Sequence, residues 1–211
     1  MIAIIDYKMG NIQSLKNALD FLGAECCVTN DLDVIMGADK IILPGVGAFN
    51  IAMKNLQEFN LIKILNQAVF ENKTPLLGIC LGMQILADIG EEDGPTEGLG
   101  WIEGQVKRFS FSDLKLRIPH IGFNSVYSEN KNPNLFSGLR NGSDFYFVHS
   151  YHMACKENSD VSSWAYYGEK FVSSVQKDNV FGVQFHPEKS QSNGLTILKN
   201  FISLRGGDIK C

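Results

Sequence analysis

Positive charge is not in excess in this sequence: 19 Lys and Arg stand against 23 Asp and Glu, and 19 − 23 leaves −4. Sequence-independent nucleic-acid binding needs clustered Lys and Arg to displace counterions, so no nucleic-acid partner is expected. Long apolar runs are missing too, and no stretch could cross a bilayer as a helix. No membrane association is expected. A basic, cleavable leader is also lacking. Met1-Ile2-Ala3-Ile4-Ile5-Asp6 reads as a strand, so the chain is expected to stay in the cytoplasm. Cysteines are few and do not pair by pattern: Cys26, Cys27, Cys80, Cys155 and Cys211 are odd in number and two are adjacent. None forms C-x-x-C or alternates with His at zinc-ligand spacing, which speaks against a disulfide framework and a metal centre. Most read as small thiols in a reducing compartment. Cys80 stands in a context that this reading does not cover.

What is present fits one globular α/β domain over residues 1–211, with 45% hydrophobic and 20% charged residues. A chain of this size buries about 70–75% of its unfolded surface and needs no staple. In the first half, apolar runs alternate with helical spacing. Strands are expected at Ile2–Tyr7, Glu25–Thr29, Lys40–Leu43 and Leu76–Ile79. Ile12, Leu15, Leu19 and Leu22 mark a helix over Asn11–Leu22, with Gly23 placed to end it. Asn50–Glu71 reads as helical with a break near Asn60. This alternation predicts a mixed, mostly parallel sheet flanked by helices. The second half predicts additional, partly antiparallel strands at Leu116–Phe123, Ser143–Tyr151, Val161–Tyr167, Phe171–Gln176 and Val180–Phe185. A closing helix is expected at Gly194–Leu204.

The most informative stretch is Thr74-Pro75-Leu76-Leu77-Gly78-Ile79-Cys80-Leu81-Gly82-Met83-Gln84. It passes from an apolar strand, through glycines two positions either side of Cys80, into an expected amphipathic helix. A nucleophile on a sharp strand-to-helix turn needs small residues at those positions, because strand and helix approach closely there. The turn would free the Leu81 N–H at a helix N-terminus, where it favours a thiolate and an oxyanion. An arbitrary cysteine is most often buried and structural. The paired glycines at this junction favour catalysis, provided a base exists.

Among His120, His149, His152 and His186, the last lies at a strand end in Gln184-Phe185-His186-Pro187-Glu188-Lys189-Ser190. Pro187 keeps His186 extended, and in extended chain residues two apart face one side. Glu188 can then bond one imidazole nitrogen and leave the other to take the thiol proton. The other three histidines read as half-buried and hydrogen-bonded beside strands. Gly45-Val46-Gly47 and Gly98-Leu99-Gly100 are too short for a dinucleotide fingerprint, so no cofactor is expected.

With Ile5-Asp6-Tyr7, Gly10-Asn11, Leu43-Pro44-Gly45-Val46-Gly47, Pro119-His120-Ile121-Gly122 and Tyr146-Phe147-Val148-His149-Ser150-Tyr151 added, the chain resembles class I glutamine amidotransferases. Within them it is most similar to the HisH group, the glutaminase subunits of imidazole glycerol phosphate synthase. The resemblance implies that Cys80 attacks the carboxamide of L-glutamine, with His186 as base and then acid, and Glu188 orienting it. It implies an oxyanion site from the Leu81 N–H and the backbone of Gly45, Val46 and Gly47, a loop that has to rearrange first. It assigns Gln84, Glu92, Ser150 and Tyr151 to the α-amino and α-carboxylate groups of glutamine. Asn11, Phe123, Tyr146 and Lys189 match positions that face a HisF-like synthase subunit in a heterodimer. Phe123 departs from the pattern, since many HisH proteins carry Trp there. That departure leaves open a paralogous glutaminase serving a synthase that amidinates a surface-polysaccharide sugar. A non-catalytic regulatory subunit predicts a lost nucleophile or base, and a cysteine peptidase has no need of Gln84 or the Pro-Gly-Val-Gly loop.

Overall fold

The computed structural model describes residues 1–111, 116–129 and 135–204; Cys211 lies outside them. The first half builds β1 (Ile2–Ile5), α1 (Ile12–Phe21), β2 (Cys26–Thr29), α2 (Leu32–Met36), β3 (Lys40–Gly45), α3 (Phe49–Glu58), α4 (Leu61–Asn66), β4 (Leu76–Cys80) and α5 (Leu81–Gln84). The second half builds β5 (Ala87–Gly90), β6 (Thr96–Glu97), β7 (Ile102–Arg108), β8 (His120–Ser128), β9 (Ser143–His149), β10 (Tyr151–Cys155), β11 (Val161–Tyr167), β12 (Glu169–Lys177), β13 (Val180–Val183) and α6 (Gln191–Ser203).

Nine strands form the main sheet in the order β2-β1-β3-β4-β13-β12-β11-β8-β9. From β2 to β13 every pairing is parallel, and from β13 to β9 every pairing is antiparallel. A second sheet, β10-β7-β5-β6, stands beside it. The α/β class expected from the alternating pattern is the class observed. The central strands are buried on both faces, which is why β1 and β4 read as unbroken apolar runs. Burying each Ile or Leu fully contributes about 1.5–3 kcal/mol, enough to fix their register against a one-residue slip.

Helix α1 turns Leu15 and Leu19 onto the sheet and ends at Gly23, whose φ of +71° suits glycine. The break between α3 and α4 falls on Asn60, at φ +56°, a conformation asparagine tolerates. Two expectations need correction. The strand placed at Leu116–Phe123 begins only at His120, because Pro119 has no N–H to give the ladder. The amphipathic helix after Cys80 is four residues long and wholly buried. It stops because the following carbonyls are taken from across the chain: Leu99 N–H bonds the Ile85 carbonyl at 2.8 Å, and Trp101 N–H bonds that of Leu86 at 2.9 Å.

Candidate active site

Three chain segments meet at the carboxyl ends of β3, β4 and β13, the edge where open α/β sheets place their ligands. Cys80 closes β4 with φ 55° and ψ −110°, a strained backbone for a residue with a β-carbon. The flanking glycines make that turn possible. A β-carbon on Gly78 would stand 2.5 Å from the Gly82 carbonyl oxygen, and one on Gly82 would collide with the Leu43 carbonyl. One on Gly45 would stand 2.5 Å from the buried Tyr7 hydroxyl, which has no hydrogen-bond partner among the described residues.

His186 follows β13 in extended conformation and is 2% exposed. Its Nδ1 lies 2.8 Å from Glu188 Oε1. The two side chains meet for a different reason from the one the sequence suggests. After His186 the chain turns into a 3-10 segment, Pro187–Lys189, which folds Glu188 back beneath the ring. The backbone around it is braced: His186 N–H donates to the Tyr146 carbonyl at 2.9 Å, and Ser190 Oγ donates to the His186 carbonyl at 2.6 Å. The other ring nitrogen, Nε2, is buried without an aligned partner among the described residues. Burial alone would lower this imidazole, but the neighbouring Cys80 sulfur and the Glu188 carboxylate outweigh it and push it up to about 10. A Cys–His pair of this kind can attack an electrophilic carbon and then protonate a leaving group.

Beside the cysteine opens a cleft of about 360 Å³, lined by Val46, Gly47, Cys80, Gln84, Glu92 and His149, with Leu81, Ser150 and Tyr151 completing its wall. That size suits a small metabolite. A larger open depression of about 810 Å³, lined by Leu32, Ile62, Phe70 and their neighbours, contains no nucleophile with a base. Two of the residues expected to bind substrate are partly engaged within the protein. Glu92 Oε2 accepts the Phe49 N–H at 2.9 Å and so secures the start of α3. Gln84 gives its amide protons to the Tyr151 carbonyl and to Gln184 Oε1, leaving its own Oε1 for a ligand. In the Gly45-Val46-Gly47 loop the Val46 N–H donates to the Met9 carbonyl at 3.0 Å, away from the cleft.

The four positions expected to face a partner surround the triad. Phe123 is 52% exposed, its ring stands edge-on 5.6 Å from Tyr146, and Lys189 Nζ lies 5.8 Å over the Tyr146 ring. Asn11 lines a crevice with His186 and Glu188 on the other side.

Sequence reasoning missed Gln184 and His149. Gln184 is fully buried and approaches Cys80 Sγ at 3.7 Å; its position two residues before His186 on an apolar strand was the available signal. His149 was read as a bland strand histidine, yet it lines the cleft and pairs with His120 at 3.0 Å. Burial holds His149 neutral, lowered to about 3, and lowers His120 to about 4. Depressed histidines bind fewer protons folded than unfolded. Their stability is complete above pH 6.5 and lost as pH falls toward those values. Unfolding free energy from urea titrations is therefore expected to drop steadily between pH 6.5 and 5, His149 alone contributing up to about 1.4 kcal/mol per pH unit. A flat profile over that range would mean that the pair is charged in the folded protein.

The Glutamine amidotransferase class-I family matches residues 3–204. The chain is 50% identical over 204 residues to "Imidazole glycerol phosphate synthase subunit HisH 1" of Campylobacter jejuni subsp. jejuni serotype O:23/36 (strain 81-176), covering 97% of this chain and 100% of that one. It is 48% identical over 202 residues to "Imidazole glycerol phosphate synthase subunit HisH 2" of Methanococcus maripaludis, covering 96% and 98%. Its fold is also that of a solved structure described as a glutamine amidotransferase, with a TM-score of 0.74 at 20% identity over 96% of this chain and 97% of the other.

Proposed function

The chain belongs to the class I glutamine amidotransferase family, and from that premise we propose that it is the glutaminase subunit of an imidazole glycerol phosphate synthase. It hydrolyses L-glutamine to glutamate and ammonia, and the ammonia passes to a HisF-like synthase subunit in histidine biosynthesis. The observation that carries this reading is the buried His186–Glu188 pair at 2.8 Å beside a cysteine held on a strained, glycine-flanked turn.

The steps of this reading are the following. Glutamine enters the cleft with its α-ammonium toward Glu92 and the free Gln84 Oε1 and its α-carboxylate toward the Ser150–Tyr151 backbone. The Cys80 thiolate attacks the carboxamide carbon, and the negative charge moves to the oxygen, where the Leu81 N–H and a turned Val46 N–H receive it. His186, protonated, gives its proton to the nitrogen, the C–N bond breaks, and ammonia leaves a thioester on Cys80. Water then attacks the thioester, His186 takes its proton, and glutamate is released with the thiolate restored. Glu188 holds the ring tautomer through Nδ1 and supports the imidazolium at both stages.

Exposed Phe123 and Lys189 flank the half-buried Tyr146 on one face, and Tyr146 also accepts the His186 N–H through its carbonyl. A partner on this face is therefore one residue away from the base. The test is glutamate release by the chain alone, with a histidine-pathway synthase, and with that synthase and its acceptor. Release is expected to be slow alone and to match imidazole glycerol phosphate formation one to one when both are present. Phe lacks the indole N–H that Trp supplies, so Phe123→Trp is expected to change affinity for the synthase severalfold. Stimulation only by a synthase that amidinates a sugar would move the chain to that pathway. Fast turnover without response to any synthase would leave a free-standing glutaminase.

A further inference from the structure

Behind the cleft runs a buried hydrogen-bond chain whose polarity is set by a single carbonyl. The Tyr151 carbonyl can only accept, so His149 Nδ1, at 2.8 Å, carries its ring proton. His149 Nε2 is then an acceptor, and His120 Nδ1, 3.0 Å away, donates to it. His120 Nε2 accepts in turn from Asn124 Nδ2 at 3.3 Å. On its other side the same carbonyl accepts from Gln84 Nε2 at 2.8 Å, and Gln84 gives its second proton to Gln184 Oε1 at 3.0 Å. The Gln184 amide is thereby fixed with its Nε2 toward Cys80 Sγ, at 3.7 Å.

We propose that Gln184 is a positioning residue for the nucleophile, whose side-chain N–H holds the Cys80 sulfur in place and favours it as thiolate. The inference rests on the reading of Cys80 as the attacking group. A neutral thiol is a weak acceptor, whereas a thiolate makes a charge-assisted bond about twice as strong as a neutral one. The Gln184 donor therefore gains more from an ionised sulfur than from a protonated one. It is also held against rotation: turning the amide would face Gln184 Oε1 to the sulfur and two N–H groups to each other. Other groups act on the same sulfur. His186 and Glu188 stand in the segment after β13, His149 at the end of β9, Glu92 across the cleft and the Tyr7 hydroxyl beyond Gly45. Besides the base His186, Gln184 is the side chain among the described residues that aims a donor at the sulfur.

The experiment is iodoacetamide alkylation of the isolated full chain across pH, with modification of Cys80 followed by peptide mass and glutamate release measured alongside. Gln184→Met keeps most of the volume and removes the donor. It is expected to raise the pH midpoint of Cys80 alkylation by about one unit and slow labelling at pH 7 about tenfold. It is also expected to lower kcat by a similar factor, with KM for glutamine changed less than twofold. A folded Gln184→Met with the wild-type midpoint would overturn the assignment. So would a raised KM with an unmoved midpoint, since Gln184 would then serve only to brace Gln84. If Gln184→Met does not fold, the isosteric Gln184→Glu decides. Its carboxylate cannot donate, so its midpoint should rise further, and an unmoved midpoint sinks the idea. Wild-type protein that never releases glutamate, with the midpoint shift intact, would end the glutaminase reading and leave the role of Gln184 standing.

Discussion

Cys80→Ser is expected to lower partner-stimulated glutamine hydrolysis by about 10⁴-fold or more, with the circular-dichroism spectrum unchanged. The fold should survive because serine is smaller by little and the strained turn is set by Gly78 and Gly82, not by sulfur. The chemistry should not. A hydroxyl ionises far less readily than a thiol, and the proton that His186 must hold would stay on oxygen. A 10⁴-fold loss corresponds to about 5.4 kcal/mol of transition-state stabilisation, which a lone hydrogen bond cannot supply. His186→Ala should cost nearly as much, since nucleophile and base act in one step, and Cys80→Ala/His186→Ala should be no worse than the poorer single variant. Glu188→Gln should be milder, because in the proposed mechanism Glu188 orients the ring and transfers no proton. Glutamate release measured on the four proteins decides this. Losses that multiply in the double variant would separate the two residues into independent steps.

How far the site was legible in the sequence depends on the kind of signal each residue leaves. Cys80 was legible because its strain is written locally, in two glycines at fixed offsets. His186 and Glu188 were legible as a pair, although the extended segment expected after His186 is a 3-10 turn that folds Glu188 back beneath the ring. The parallel half of the sheet was legible because strands buried on both faces are continuous apolar runs. The second sheet was not. In β7 only Ile102 and Val106 are buried, four residues apart, with Glu103, Gly104 and Gln105 between them, a spacing that suggests a helix face as readily as a strand. The residues Ile85 to Ile89 after α5 also carry helical spacing, and only distant pairing with Leu99 to Ile102 makes them a strand. The His120–His149 pair was invisible for a related reason, and Gln184 left no trace beyond its place two residues before His186. Their meaning lies in which acceptor each faces across the fold, and nothing local records it.

The Val46 backbone N–H carries the second large effect: stimulation by the synthase is expected to raise glutamate release about 10²–10³-fold, the usual value of one oxyanion donor. In the structure that N–H is bonded to the Met9 carbonyl and turned from the cleft. Rotating the Gly45–Val46 peptide breaks that bond, at a net cost of about 0.5–1.5 kcal/mol, and delivers a donor worth about 2.7–4 kcal/mol to the transition state. The resting state is thus shallow, and a partner needs only a modestly tighter grip on the turned form to populate it. Glycine on both sides makes the rotation accessible; Gly47, already at φ +110°, adopts backbone closed to other residues. Val46→Pro removes the N–H and with it both the resting bond and the donor. Val46→Ala keeps the N–H and changes only the exposed side chain. The quantity to measure is the ratio of glutamate release with and without synthase and acceptor. It should stay high in Val46→Ala and collapse toward one in Val46→Pro. A Val46→Pro chain that still binds the synthase and is stimulated as strongly as wild type would show that the oxyanion is held elsewhere and that the loop is not the switch.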